Sequence, residues 1–473
     1  MEAFQQKLVD DILGKEDISL TDDQQAALET FMDFCRSGTG RDAFLLTGSA
    51  GTGKTFLINI FTTLLRTLGM KVVLLAPTGR AAKVISKRTH KPAYTIHHHI
   101  YSVRENSYGQ LTFSLRANKE ATNTVYVVDE ASMIGEGGSE GSTRQGLLRD
   151  LIDFVYLEDE GRKLILVGDP VQLPPVGHED SPGLDPRRLE WSGDLRVRHA
   201  HLAEVKRQLF DSGVLENAVL IRDAYLSGGA AGLSLVQGRD VMVLDNGYEG
   251  LNTYIGYYEE GNHDRCVFIT YSNYRAVQAN REIRHQLLGT EEILVASDLI
   301  MVVKNNYAWG DEKTLPFIAN GEMGTVRTVY PESYEERYGL KWMNAEIEFQ
   351  DTRGEYVLLE CKLVLDLLQS KQPQLENSVL SMLSHERQRE YMGLPRTEAA
   401  AQLRKDPYVN ALQVKYGYAI TGHKSQGGQW ENVIIGFEPD YGNNLQAYIR
   451  WTYTVFTRSE SRVFLINCPF AES

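Results

Sequence analysis

The chain has 473 residues, 42% of them hydrophobic and 24% charged, with a net charge of −14 at pH 7. It is long for one hydrophobic core, so two to four domains are expected, and the composition is that of an ordinary soluble globular protein. No apolar run approaches the ~20 residues that span a bilayer, no signal-peptide core opens the chain, and Cys35, Cys266, Cys361 and Cys468 form no CxxC pairing. A cytoplasmic protein with reduced thiols and no zinc site is therefore expected. The acidic balance argues against coating nucleic acid by bulk attraction, but a local basic groove can work inside an acidic shell.

Leu20-Thr-Asp-Asp-Gln-Gln25 opens an amphipathic helix through Phe34, with Thr21 or Asp22 placed to cap it. The apolar run from Phe44 then meets Gly48-Ser-Ala-Gly-Thr-Gly-Lys-Thr55, a complete GxxxxGK[ST] loop followed by helical sequence. Such a loop turns tightly on its glycines and aims backbone N–H groups at phosphates, with the positive end of the next helix behind them. Gly48, Ala50, Gly51, Thr52 and Gly53 are the expected cradle, Lys54 the ligand of the β/γ-phosphates and Thr55 a ligand of Mg²⁺. With this loop behind it, Gln24 becomes a reader of adenine N6 and N7, which would favour ATP.

Lys71–Ala76 reads as a buried parallel strand running through Pro77 and Thr78 into a helix. Three consecutive histidines, His97 to His99, point in different directions and make a poor metal site; a polar contact to nucleic acid or to the fold fits them better. Alternation from Ile100 to Ala121 around Glu105-Asn-Ser-Tyr-Gly-Gln110 predicts an inserted β-hairpin. Val125–Val128 predicts a strand delivering Asp129 for Mg²⁺ and Glu130 to polarise the attacking water. Gly135 to Gly146, rich in Gly and Ser, reads as a loop. Lys163–Gly168 is a third buried strand, with Asp169 and Gln172 at its carboxyl end, where Gln172 can sense the γ-phosphate.

In this order and spacing, Gly48–Thr55, Ala76-Pro-Thr78, Asp129-Glu-Ala-Ser132, Gly168-Asp-Pro-Val-Gln172, Glu204-Val-Lys-Arg-Gln208, Tyr418–Gly427 and Tyr453-Thr-Val-Phe-Thr-Arg458 resemble the motif series of superfamily 1B DNA helicases. The branch is that of RecD and Dda, and the compact Dda-like form is the nearest match. Phe456 departs from the small or aliphatic residue usual there, and the loop after Met133 is longer than the pattern. The resemblance implies that Arg207 and Arg458 are γ-phosphate ligands, a role that suits guanidinium forks. It also implies that Pro77, Thr78, Thr95, His97, His423 and Lys424 face single-stranded DNA, where they suit phosphate contacts that read no sequence.

The α/β fold expected is two RecA-like P-loop NTPase domains. The first covers 1–205, with the hairpin insertion at about 98–122. The second covers 206–320 and 412–473 and is interrupted at 321–411 by an SH3-like β-barrel with a helical extension. Within the hairpin, Tyr108 beside Gly109 is the expected stacking wedge. The expected activity is ATP- and Mg²⁺-dependent 5′ to 3′ translocation on single-stranded DNA with duplex unwinding, the polarity resting on the resemblance alone. An RNA-directed helicase of the same fold and a nucleotide-switched DNA-binding module are the alternatives. Expected partners are single strands, single-strand/duplex junctions and replication or repair proteins, with a monomeric chain and no membrane.

Overall fold

The computed structural model describes residues 20–37, 40–105, 111–137, 146–205, 212–229, 233–260, 265–310, 315, 317–351, 354–438 and 444–471. Its first sheet is wholly parallel, in the spatial order β3 (Ala93–Thr95), β2 (Lys71–Ala76), β6 (Thr124–Val128), β7 (Lys163–Gly168), β1 (Asp42–Gly48), β8 (Arg196–Leu202). Strands β1, β6 and β7 are buried along their whole length, as expected for a parallel sheet covered on both faces. Because all six run the same way, the P-loop, Pro77-Thr78, Asp129-Glu130 and Asp169–Gln172 all emerge at one edge, where α/β proteins bind ligands.

The helix Lys54–Thr67 buries Leu57, Ile58, Phe61, Leu64 and Leu65 against one face of this sheet. The helix Asp22–Arg36 starts with a full capping box, in which Thr21 Oγ accepts from Gln24 N–H and Gln24 Oε1 accepts from Thr21 N–H; each N-terminal N–H so satisfied favours the helix. Phe31 stacks on Phe61 at 3.9 Å and 11°, and Phe44 meets both edge-on at 5.6 Å. The expected hairpin forms from β4 (Tyr101–Glu105) and β5 (Leu111–Leu115), paired from Tyr101↔Leu115 to Glu105↔Leu111. Its turn, with Tyr108, lies outside the described residues, as do Arg207 and 138–145 of the glycine-rich loop.

The second sheet is also parallel, in the order β16 (Ala419–Thr421), β10 (Cys266–Thr270), β17 (Trp430–Gly436), β18 (Ser459–Ile466), β9 (Val241–Leu244). Between β10 and β16 the chain builds a closed barrel of β11 (Leu299–Val302), β12 (Met323–Arg337), β13 (Leu340–Gln350), β14 (Tyr356–Val364) and β15 (Leu412–Tyr416). Here the sequence-based boundaries need correction. The three patterns assigned to the insertion are β12 to β14, but the barrel closes only by adding β11 from the 206–320 segment and β15 from the 412–473 segment. The reason is edge pairing: Ile300↔Tyr416 joins β11 to β15 antiparallel, and Leu363↔Leu412 joins β14 to β15 parallel, leaving no open edge. The helices Asn377–Glu390 and Arg396–Arg404 form the extension between β14 and β15. Arg387 anchors them, its Nε donating to buried Asp406 at 2.6 Å, where the Tyr391 hydroxyl also donates at 2.7 Å.

Candidate functional site: a nucleotide loop and a strand channel

The P-loop leaves β1 and enters its helix through Gly53, whose φ of 89° is left-handed. A Cβ there would lie 2.4 Å from Gln24 Nε2, so the glycine is required by the approach as well as by the turn. Gln24 is fully buried, and its Nε2 donates to Thr52 O at 2.9 Å. In this conformation its amide braces the loop and caps its own helix; hydrogen-bonding an adenine would require exchanging those bonds. Lys54 Nζ lies across the loop mouth, donating to Gly48 O at 2.7 Å and Ser49 O at 2.8 Å.

Asp129 and Glu130 follow β6 as expected, and Asp129 Oδ1 accepts from Glu130 N–H at 2.9 Å. Glu130 has φ 55°, a costly conformation for a side-chain-bearing residue that characteristically survives where function fixes a group's direction. Burial, reinforced by the charge of Glu130 and opposed by Lys54 and Arg88, raises the Asp129 carboxyl to about 6. Gln172 is buried too, and its Oε1 finds no partner among the described residues. A raised carboxyl beside a second carboxylate is a place for a cation, and an orphaned amide oxygen a place for a donor; the residues present therefore fit a magnesium–nucleotide complex.

At the same edge of the first sheet a cleft of about 660 Å³ is lined by Pro77, Thr78, Thr95 and His97 from the first domain, Asn320 and Gly321 from the barrel region, and His423, Lys424 and Gln426 from the second domain. All six described residues expected to face single-stranded DNA meet here. Thr78 and Thr95 are committed as helix caps, Thr78 Oγ accepting from Ala81 N–H and Thr95 Oγ from His98 N–H, both at 3.2 Å. Burial drives His97 down to about 4, with Asp150 opposing, so its imidazole is neutral at pH 7. Lys424 Nζ donates to Asn320 Oδ1 at 2.6 Å, and burial together with the charges of Lys415 and Arg80 lowers it to about 8.

Sequence reasoning missed Arg80. It lies two residues past the Pro77-Thr78 motif, in the first turn of the helix Gly79–Thr89, stacks on Trp430 at 4.8 Å, donates to Gly321 O at 3.3 Å and lines the same cleft. An arginine in the first turn after a loop-edge motif was the available signal. Among the described residues no three His, Cys, Asp or Glu side chains group to hold a metal; the histidines instead stack, His98 on Phe317 at 4.9 Å.

Arg458 is buried with Nε donating to Thr454 O at 3.0 Å, Nη1 to Gly428 O at 3.3 Å and Nη2 to Thr457 Oγ1 at 3.1 Å. All three acceptors belong to its own domain, so a γ-phosphate role requires the guanidinium to exchange them. Arg450 and Tyr453, upstream on the same helix Leu445–Phe456, reach the first domain directly. Neither was assigned a role from the sequence: Tyr453 only opens the last quoted motif, and Arg450 lies before it.

The AAA domain family matches residues 19–224 and the UvrD-like helicase C-terminal domain family residues 416–466. The chain is 34% identical over 137 residues to an ATP-dependent RecD2 DNA helicase of Deinococcus radiodurans, covering 29% of this chain and 17% of the relative. It is 26% identical over 297 residues to an ATP-dependent DNA helicase Pif1 of a Psychrobacter species, covering 59% of this chain and 40% of the relative. The chain thus spans less than half the length of these relatives. A Pif1 helicase from Candida albicans superposes with a TM-score of 0.46 at 16% identity, over 96% of this chain and 95% of that one. The chain thus carries an AAA domain and a UvrD-like helicase C-terminal domain, and parts of it are similar to RecD2 and Pif1 DNA helicases.

Proposed function

We propose that the protein is an ATP-dependent DNA helicase that steps 5′ to 3′ along single-stranded DNA. The observation that carries this reading is the shared pair of domains: the second domain reaches the P-loop through Tyr453, and the same two domains line the 660 Å³ channel with threonines, neutral imidazole and an ammonium. Relatives named as ATP-dependent DNA helicases support it. The first RecA-like domain ends near residue 205; the second is built from the β9, β10 and β16–β18 segments, with the barrel inserted between β10 and β16.

In this mechanism Lys54 leaves its own loop carbonyls to hold the β/γ-phosphates. Glu130, fixed in direction by its left-handed backbone, takes the proton of the attacking water. The orphaned Gln172 amide orients that water or the γ-phosphate, while Arg207 and Arg458 neutralise charge on the departing phosphoryl group. Thr55 and Asp129 would hold Mg²⁺, which would neutralise phosphate charge when bound. Closing and opening of the cleft alternates the grip of the two domains on the strand. Steady-state ATPase with and without oligo-dT, and with oligo-U, tests this. Strong stimulation by DNA is expected; stimulation by RNA alone reassigns the substrate, and none by either removes the translocase reading.

A further inference from the structure

The loop after β7 is held at several points from the opposite domain. Arg450 donates through Nε to Gln172 O at 2.8 Å, through Nη2 to Pro170 O at 2.8 Å and through Nη1 to Glu179 O at 2.6 Å. One turn on, Thr454 Oγ1 accepts from Leu173 N–H at 2.9 Å. Between them the fully buried Tyr453 hydroxyl donates to Asp169 Oδ2 at 2.6 Å and accepts from the P-loop N–H of Ala50 at 2.8 Å. Positions 450, 453 and 454 share one face of a helix, so a single rigid face touches both the nucleotide loop and the segment that carries Gln172. Burial lifts the Tyr453 phenol well above its ordinary range, so it keeps its proton and its donor role.

We infer that Tyr453 is a positioning residue that locks the P-loop and the Asp169–Leu173 loop into one register across the cleft. Gln172 is thereby presented to the nucleotide only when the second domain is seated. A substitution that removes the hydroxyl leaves the part-buried Ala50 N–H and the buried Asp169 carboxylate without their shared partner, while Lys54 and the rest of the phosphate cradle keep their own contacts. The cost falls on turnover rather than on nucleotide affinity.

This rests on the ATPase reading of the cleft but not on its use for DNA. The test is a double-mutant cycle in the full chain with Tyr453→Phe and Asp169→Ala, which removes the carboxylate that accepts the phenol's proton. ATPase is measured with and without oligo-dT, and kcat is normalised to sites titrated with a fluorescent ADP, so that misfolded protein does not count. Each single variant is expected to lose at least tenfold in kcat with ADP Kd within threefold of the parent, and the double variant to lie within threefold of the weaker single. Tyr453→Phe turnover within threefold of the parent, multiplying losses in the double variant, or ADP affinity falling in step with kcat would each overturn it. A parent protein that hydrolyses ATP without stimulation by oligo-dT would sink the helicase reading alone, since the cycle is read equally well on basal turnover.

Discussion

Asp129→Asn is expected to stabilise the nucleotide-free protein while destroying its activity. Burial and the neighbouring Glu130 raise the Asp129 carboxyl from 3.8 to about 6, so between these pH values the native state holds a proton that the unfolded chain has released. Raising the pH through that window costs native stability, and the full cost is present above about pH 7. At about 1.4 kcal/mol per pKa unit the ceiling is about 3 kcal/mol, and half of that shifts the melting temperature of a domain this size by about 3–6 °C. Asparagine carries no charge to desolvate and its Oδ1 can still accept the Glu130 N–H. Thermal unfolding without nucleotide or divalent cation, followed at pH 5 to 8, should show the variant above the parent at pH 8 and the gap closing towards pH 5. ATPase should meanwhile fall at least a hundredfold. A variant no more stable than the parent at pH 8, or a gap that widens on acidification, would refute the buried-charge argument.

Lys54→Ala should nearly abolish hydrolysis and Glu130→Gln should slow it by orders of magnitude with ATP binding kept, which filter binding and single-turnover assays separate; loss of ATP binding by Glu130→Gln would take away its role as base. Lys424→Ala should weaken binding of single strands uniformly across sequences and flatten the salt slope by about one counterion. Because Lys424 sits at about 8, parent affinity should also drop as pH rises from 7 to 9, a component the variant lacks; equal pH profiles would contradict the contact. Replacing 106–110 by a short turn between β4 and β5 should leave DNA-stimulated ATPase intact but cripple unwinding, since stacking of an aromatic such as Tyr108 on a base is worth about 1–3 kcal/mol; a parallel loss of ATPase would make the segment structural.

The P-loop, the strand-end carboxylates and the hairpin were legible because each is written in a few consecutive residues: a glycine spacing, an apolar run ending in Asp-Glu, an alternation broken by Tyr-Gly. The barrel was legible only in its middle. Strands β12 to β14 neighbour one another in sequence, but closure depends on Ile300 meeting Tyr416, a pairing that no local pattern announces. The same limit hid Tyr453 and Arg450, whose partners Ala50, Asp169 and Gln172 lie hundreds of residues away. Gln24 shows the opposite case. The sequence marked it as a reader of adenine, but its burial against Thr52 makes it a brace of the loop in this conformation, a distinction set by packing alone.

The claim that the two domains couple nucleotide hydrolysis to movement along DNA in a fixed direction is tested most directly by unwinding matched duplexes that carry either a 5′ or a 3′ single-stranded tail. With ATP and Mg²⁺ the 5′-tailed duplex should open and the 3′-tailed duplex should not, and Lys54→Ala should open neither. Opening of the 3′-tailed duplex alone would reverse the assigned polarity, and opening of neither, alongside robust DNA-stimulated ATPase, would contradict the helicase account.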